Sequence, residues 1–289
     1  MNKAGLLVTG ATGTVGRALL AELKHRQLPA RVLVRDPARA PDLARMGFDL
    51  VTGDLSDPAT LGAAMEGIAS VFLLTPVHQQ AETLVQNGLE AAREAGVERV
   101  VRLSALGAGV DSAPEILRQH GSCDAMLMAS GLGWTILRPN GFFQNLLWQA
   151  GPIRAEGRFY LPLGAARLSY LDVRDVAAAA GQVLATGGHE GCVHELTGSE
   201  ALTCAEMANT LSAVAGREVT YVPVPPEMAE QSLRGMGLPD WDARAVTELQ
   251  TWFADGHAAA VSPDLVALTG YRPRRFEDFA RDHANAFGG

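Results

Sequence analysis

The chain has 289 residues, 47% hydrophobic and 19% charged, with a formal net charge of -8. This composition suits a globular α/β protein with a sizeable core and excludes a largely disordered chain. Acidic and basic residues are mixed, so no basic face is offered to nucleic acid or an anionic membrane, and three scattered cysteines (Cys123, Cys192, Cys204) give neither a disulfide framework nor a zinc cluster.

The opening segment, Met1 to Arg17, is not expected to be a secretory leader, because its stretch LLVTGATGTVGR, residues 6–17, is interrupted at once by glycine and threonine. Later apolar segments such as 173–186 are short and carry Arg174 and Asp175, so none spans a bilayer and the cytoplasm is the expected compartment. The stretch predicts a strand followed by a helix near Val15 to His25, joined by Gly10, Gly13 and Gly16. Compared with the dinucleotide fingerprint G-x-G-x-x-G, the first glycine is displaced by one. The physical roles survive the shift. Gly10 permits the turn off the strand, Gly13 lets backbone approach a pyrophosphate, and Gly16 lets the helix close on the sheet. The helix start at Thr14 and Val15 presents free N–H groups and a positive dipole end, with the Thr12 and Thr14 hydroxyls beside them. A plain strand-to-helix turn is the competing reading; the position between first strand and first helix favours phosphate.

The second strand, ARVLVRDPARA, ends on Arg35. An acidic residue at this strand end takes the ribose hydroxyls of NAD, whereas an arginine accommodates the 2′-phosphate of NADP. Arg35, with Arg39 as a second cation, therefore favours NADP(H) over NAD(H), since a guanidinium recognises phosphate in a geometry-specific way. The other reading makes Arg35 a solvated charge and Asp36 the ribose ligand.

The alternation continues through FDLVTGD, a helix near Pro58 to Met65, SVFLLTP and a helix near Gln79 to Ala95. ERVVRLSAL, a helix leading to Ser130 and WTILRP follow. Such alternation predicts parallel βαβ crossovers, and apolar strands without strict alternation predict helices on both faces. The expected fold is a Rossmann-type doubly wound α/β sheet over 1–150, with ligand beyond the carboxyl ends of the strands. From 151 the pattern loosens into a short strand pair around GRFYLPL, a helix near Asp172 to Ala185, CVHELTG, a helix near Cys204 to Ala215, VTYVPVP and a helical tail. Residues 151–289 are expected to complete the sheet and build a small substrate lobe. His189, Cys192 and His194 lie close in HEGCVH without further ligands, so no metal site is expected.

With TGATGTVG, VRDPARA, GDLSDP, ILRPNGFFQN and YLDVRDVA in this order, the chain resembles the NmrA-like atypical short-chain dehydrogenase/reductases over essentially its whole length. Within that group it is most similar to the NAD(P)H-dependent quinone, azo-dye and triphenylmethane-dye reductases. The resemblance implies that Asp54 and Leu55 flank the adenine and that Leu74, Thr75 and Pro76 line the adenosine ribose and pyrophosphate. It also implies that Ser104, Ala105, Pro139, Asn140 and Phe142 surround the nicotinamide. Ser56 and Asp57 offer a helix-cap alternative near Asp54. Phe143, Trp148 and Tyr160 are candidates for the wall of an apolar acceptor site, or else packing residues.

One departure from the superfamily stands out. Anchored on SGLGWTILRP, the position of its tyrosine falls on Ile116 and that of its lysine on His120. Ile116 donates no proton, so reversible alcohol oxidation is not expected. Two readings follow. In the first, hydride passes from NADPH to a planar, electron-poor small molecule (quinone, azo bond, dye cation or imine), with His120 binding ribose or acceptor or supplying a proton. In the second, the chain is a non-catalytic NADP-binding redox sensor. A monomer or homodimer fits either.

Overall fold

The computed structural model describes residues 5–288; residues 1–4, the start of the stretch read for a leader, and Gly289 lie outside it. The first half alternates strictly: β1 (Gly5–Val8), α1 (Thr14–His25), β2 (Arg31–Val34), α2 (Pro41–Arg45), β3 (Asp49–Thr52), α3 (Leu61–Met65), β4 (Ile68–Leu73) and α4 (Ala81–Glu94). It continues through β5 (Arg99–Leu103), α5 (Glu115–Ala129) and β6 (Gly133–Pro139). Then come α6 (Ala150–Glu156), β7 (Arg158–Leu161), α7 (Val173–Ala185), β8 (Cys192–Leu196), α8 (Cys204–Ala215) and β9 (Thr220–Pro223). The tail is helical: α9 (Pro226–Gly235), α10 (Asp240–Trp252), α11 (Asp264–Thr269), α12 (Phe276–Asp282) and α13 (Ala284–Phe287).

Seven parallel strands form the central sheet in the order β3-β2-β1-β4-β5-β6-β8. The chain order reverses between β1 and β4, which opens a crevice at their carboxyl ends. Because side chains alternate across a strand, neighbouring residues serve opposite faces. Leu7, Val71, Val100 and Ile136 pack under α3, α4 and α5, whereas Val8, Phe72, Val101 and Leu137 pack under α1 and α7. This is the expected doubly wound sheet.

The short strand pair expected within 151–172 takes a different form. Its strand β7 pairs in parallel with β9, far along the chain, in a separate two-stranded sheet. Gly157, in the left-handed conformation at φ 66°, stops α6 and turns the chain directly into β7. A third core forms there from Phe143, Phe159, Phe276, Phe279 and Phe287 with α8. Among the described residues no helix is long and apolar enough to cross a membrane.

Candidate active site

At the end of β1 the backbone of Gly10 takes φ 64°, and a Cβ there would meet the Leu74 carbonyl at 2.8 Å. A Cβ on Gly16 would collide with the backbone of Gly10 and Ala11, so both positions are closed to any side chain. Gly13 differs. A Cβ there would meet nothing nearer than the Gly10 carbonyl at 3.4 Å, so its outer side is open. Gly13 caps α1 without a side-chain hydrogen bond, and no acidic residue occupies the first turn. Thr12 and Thr14 are exposed beside it, while Val15 is buried beneath. The result is an uncapped helix start with free donors at an open backbone cradle, which fits a dinucleotide pyrophosphate. Thr9 Oγ1 donates to the Leu74 carbonyl at 2.9 Å and accepts from the Leu74 amide at 2.9 Å, fixing β4's exit loop of Leu74, Thr75 and Pro76 across the crevice.

At the end of β2, Arg35 is exposed and makes no ion pair or hydrogen bond among the described residues. The Asp36 carboxylate accepts from the Ala38 amide at 2.9 Å and caps the short turn Pro37–Arg39. Arg39 is exposed on that turn. Asp54 is half-buried, and its carboxylate accepts from the Ser56 amide at 2.9 Å; this bond, aided by the charge of Arg35, lowers its pKa. The helix cap nearby is supplied by Asp57 instead. Leu55 is buried, its carbonyl accepting from Asn87 at 2.8 Å.

Under the ends of β5 and β6 the apolar layer against α5 turns polar. Arg102 and Ser104 continue the Val100 face, Arg138 continues the Ile136 face, and His120 and Asp124 stand one helical turn apart on α5. Arg102 and Asp124 are 1% and 2% exposed and are ion-paired. Asp124 Oδ2 also accepts from Ser104 Oγ at 2.9 Å and from Arg138 Nη2 at 2.8 Å. Arg102 Nη2 lies 3.1 Å from His120 Nδ1. Because a guanidinium only donates, Nδ1 is the acceptor and the ring hydrogen sits on Nε2. Desolvation, then the charges of Arg102 and Arg138, push the His120 pKa down to about 3. Burial and the two guanidiniums thus hold the imidazole neutral at physiological pH. His120 shares a recess of ≈ 10 Å³ with Thr75, Pro76, Ile116, Gln119 and Cys123.

In the neighbouring loop most side chains are held by the protein itself. Asn140 is 3% exposed, and its Nδ2 donates to Ser169 Oγ at 2.8 Å and the Ala258 carbonyl at 2.9 Å. Its Oδ1 accepts from the Gly141 amide at 2.8 Å. Pro139 is buried at the end of β6, and Phe142 packs partly buried against the α1–α7 core. Phe143 is 3% exposed with its ring 5.2 Å from that of Phe276, a core residue and not a wall of a cleft. Trp148 is 55% exposed on the turn Phe143–Gln149. Tyr160 Oη donates to Glu156 at 2.7 Å, and that bond raises its pKa.

The fold thus gathers Gly10, Gly13, Leu74, Thr75, Pro76, His120 and Ser104 at the carboxyl ends of β1, β4 and β5, while Phe143 and Tyr160 belong to the third core and its rim. Arg102, Asp124 and Arg138 escaped sequence reasoning. Their signal was present: an arginine at an inward strand position of RVVRLSA, and an acid four residues after His120.

Residues 10–186 match the family described as NAD(P)H-binding. An NAD(P)H azoreductase of Xenophilus azovorans is 41% identical over 98% of this chain and 99% of its own. Quinone oxidoreductase 2 of Escherichia coli is 31% identical over 92% of this chain and 94% of its own. The crystal structure of an NADPH-dependent quinone oxidoreductase from Escherichia coli complexed with NADPH superposes with a TM-score of 0.87 at 28% identity, covering 96% of this chain and 99% of that one.

Proposed function

The chain belongs to the NAD(P)H-binding family and is an NAD(P)H-dependent oxidoreductase, and from that premise we propose that it passes hydride from NADPH to a planar, electron-poor acceptor such as a quinone, azo compound, dye cation or imine. The observation that carries this reading is the pairing of an open, uncapped helix start at Gly13 with a neighbouring site that holds no proton donor of ordinary acidity. Ile116 is 4% exposed where the superfamily's tyrosine would stand, and His120 is neutral. An acceptor that needs enzyme-delivered acid is served poorly here. One whose conjugation spreads the incoming electron pair is served well, and it takes its proton from water after transfer.

When bound, the reduced nicotinamide supplies the hydride. The chain's own residues do the rest. Backbone N–H groups at Thr14 and Val15, with the Thr12 and Thr14 hydroxyls, hold the pyrophosphate. Arg35 and Arg39 receive the 2′-phosphate, which is the basis for preferring NADP(H) over NAD(H), and the engagement of Asp36 in its own turn supports that choice. Asp54 and Leu55 border the adenine; Leu74, Thr75 and Pro76 line the adenosine side. Ser104, Ala105, Pro139 and Phe142 bound the nicotinamide pocket, and the exposed Trp148 is the remaining aromatic candidate for the acceptor's rim. We read residues 1–150 as the nucleotide-binding part and 151–289 as the part that completes the sheet and carries the substrate lobe. The enzyme is taken as cytoplasmic, monomeric or homodimeric.

The test is NADPH oxidation against a panel of quinones, azo dyes, a triphenylmethane cation and a cyclic imine, followed by loss of reduced-nicotinamide absorbance. Turnover of several members with NADPH in preference to NADH is expected. Tight NADP binding with no turnover across the panel would instead leave a binding-only role.

A further inference from the structure

The ion cluster beneath β5 and β6 is unusual in what it leaves over. Two guanidiniums, Arg102 and Arg138, face one carboxylate, Asp124, and the imidazole hydrogen-bonded to Arg102 carries no charge. A buried ion cluster stabilises little beyond apolar packing of the same volume. Its consequence lies in the hydrogen-bond directions it fixes. Asp124 only accepts, so the Ser104 hydroxyl hydrogen is spent on it at 2.9 Å and Ser104 has only its lone pairs, as acceptors, for any other group. Arg102 only donates, so His120 Nδ1 is occupied and the nitrogen left for the recess is Nε2, which carries hydrogen. No protein partner takes that N–H among the described residues. The recess of ≈ 10 Å³ has room for about one water-sized group, a hydroxyl for instance, and the loop residues Thr75 and Pro76 line it with His120.

We propose that Arg102 and Asp124 are positioning residues of the hydride-transfer site: they lock His120 as an Nε2–H donor and Ser104 as an acceptor, so that His120 holds a ribose hydroxyl on the nicotinamide side of NADPH. This rests on the function proposed above. The charged and titratable groups facing the imidazole are Arg102 from β5, Arg138 from β6, and Cys123 and Asp124 from its own helix, with Glu82 of α4 acting on Cys123. Both nearby guanidiniums oppose an imidazolium, so the lock holds through the physiological range.

Two measurements test it. Nitrogen-edited NMR of the seven histidines in the full chain without cofactor, with His120 assigned through His120→Gln, reads the lock directly. The expected spectrum is a neutral Nε2–H tautomer that does not titrate between about pH 5 and pH 8, and in Arg102→Met, where Nδ1 loses its donor, a mixture of the two neutral tautomers. NADPH binding by fluorescence reads the donor. His120→Ala should weaken binding roughly fivefold to tenfold, the worth of one hydrogen bond, and His120→Gln, which keeps an amide N–H at similar reach, should recover most of that loss. A His120 that titrates normally in the unmodified chain overturns the proposal, as does an Ala variant that binds like the parent or a Gln variant that loses as much as Ala. Should Arg102→Met not fold, the titration of the parent chain and the Gln and Ala pair still decide. If the parent chain binds no NADPH at all, the proposed function fails, while the NMR result judges the lock separately.

Discussion

Arg35 stands exposed at the tip of β2, without a hydrogen bond or ion pair among the described residues, and the acid beside it is already engaged in capping Pro37–Arg39. A guanidinium in that state costs nothing to recruit, since no internal bond has to break before it meets a phosphate. Arg35→Asp should therefore weaken NADPH binding about 10- to 100-fold, from the 1.5–3 kcal/mol typical of a hydrogen bond to a charged group. NADH, without the 2′-phosphate, should change by less than about twofold. Calorimetric titration with both coenzymes checks this, and equal losses would return Arg35 to the role of a solvated charge. Arg35 was readable from sequence because its meaning depends on one strand end. His120 was only half readable. Its place opposite the superfamily's lysine follows from spacing along one helix, but its protonation state depends on Arg102 and Arg138, which arrive from two other strands. No local pattern encodes that meeting.

At the level of elements, the glycine turn and α1 separate two demands that the sequence writes with the same letter. Gly16 sits where helix backbone meets β1's exit, so Gly16→Ala forces α1 off the sheet; overpacking of this kind costs about 1–3 kcal/mol and should lower the Tm by several degrees together with coenzyme affinity. Gly13 has extended backbone at φ -78° and open space outside, so Gly13→Val should leave the Tm nearly unchanged while abolishing coenzyme binding by blocking the cradle. Thermal denaturation and coenzyme titration of the two variants, run side by side, distinguish these roles; a matching loss of Tm in both would contradict the cradle. The alternation of strands and helices made the sheet readable because every strand through β6 feeds a crossover helix of its own. The pairing of β7 with β9 was unreadable for the opposite reason. The two short runs lie about sixty residues apart, and neither carries a pattern that names its partner. Phe143 was left between acceptor wall and packing residue for the same reason: whether an aromatic at a strand exit meets solvent or Phe276 depends on where the tail comes to rest.

For the molecule as a whole, the neutral imidazole has a thermodynamic signature. The folded pKa of His120, about 3, lies below the ordinary value of 6.5, so on acidification the unfolded chain takes up the proton first. Stability contributed by this site is complete above the unfolded value and declines as pH falls toward the folded one. Between pH 7 and pH 5 the loss from this group should be about 2 kcal/mol, and His120→Gln should remove that part of the slope. Denaturant unfolding of parent and variant at the two pH values checks it; identical slopes would mean that the ring charges in the folded protein. A different kind of connection lies in Asn140. Its amide knots together the tip of β6, the segment around Ser169 and the chain at Ala258, 118 residues onward. The tail consequently cannot slide freely over the sheet. A single buried amide moors it there, so a shift of the Ser169 segment and the tail away from the carboxyl end of β6 has to break two donor bonds at once.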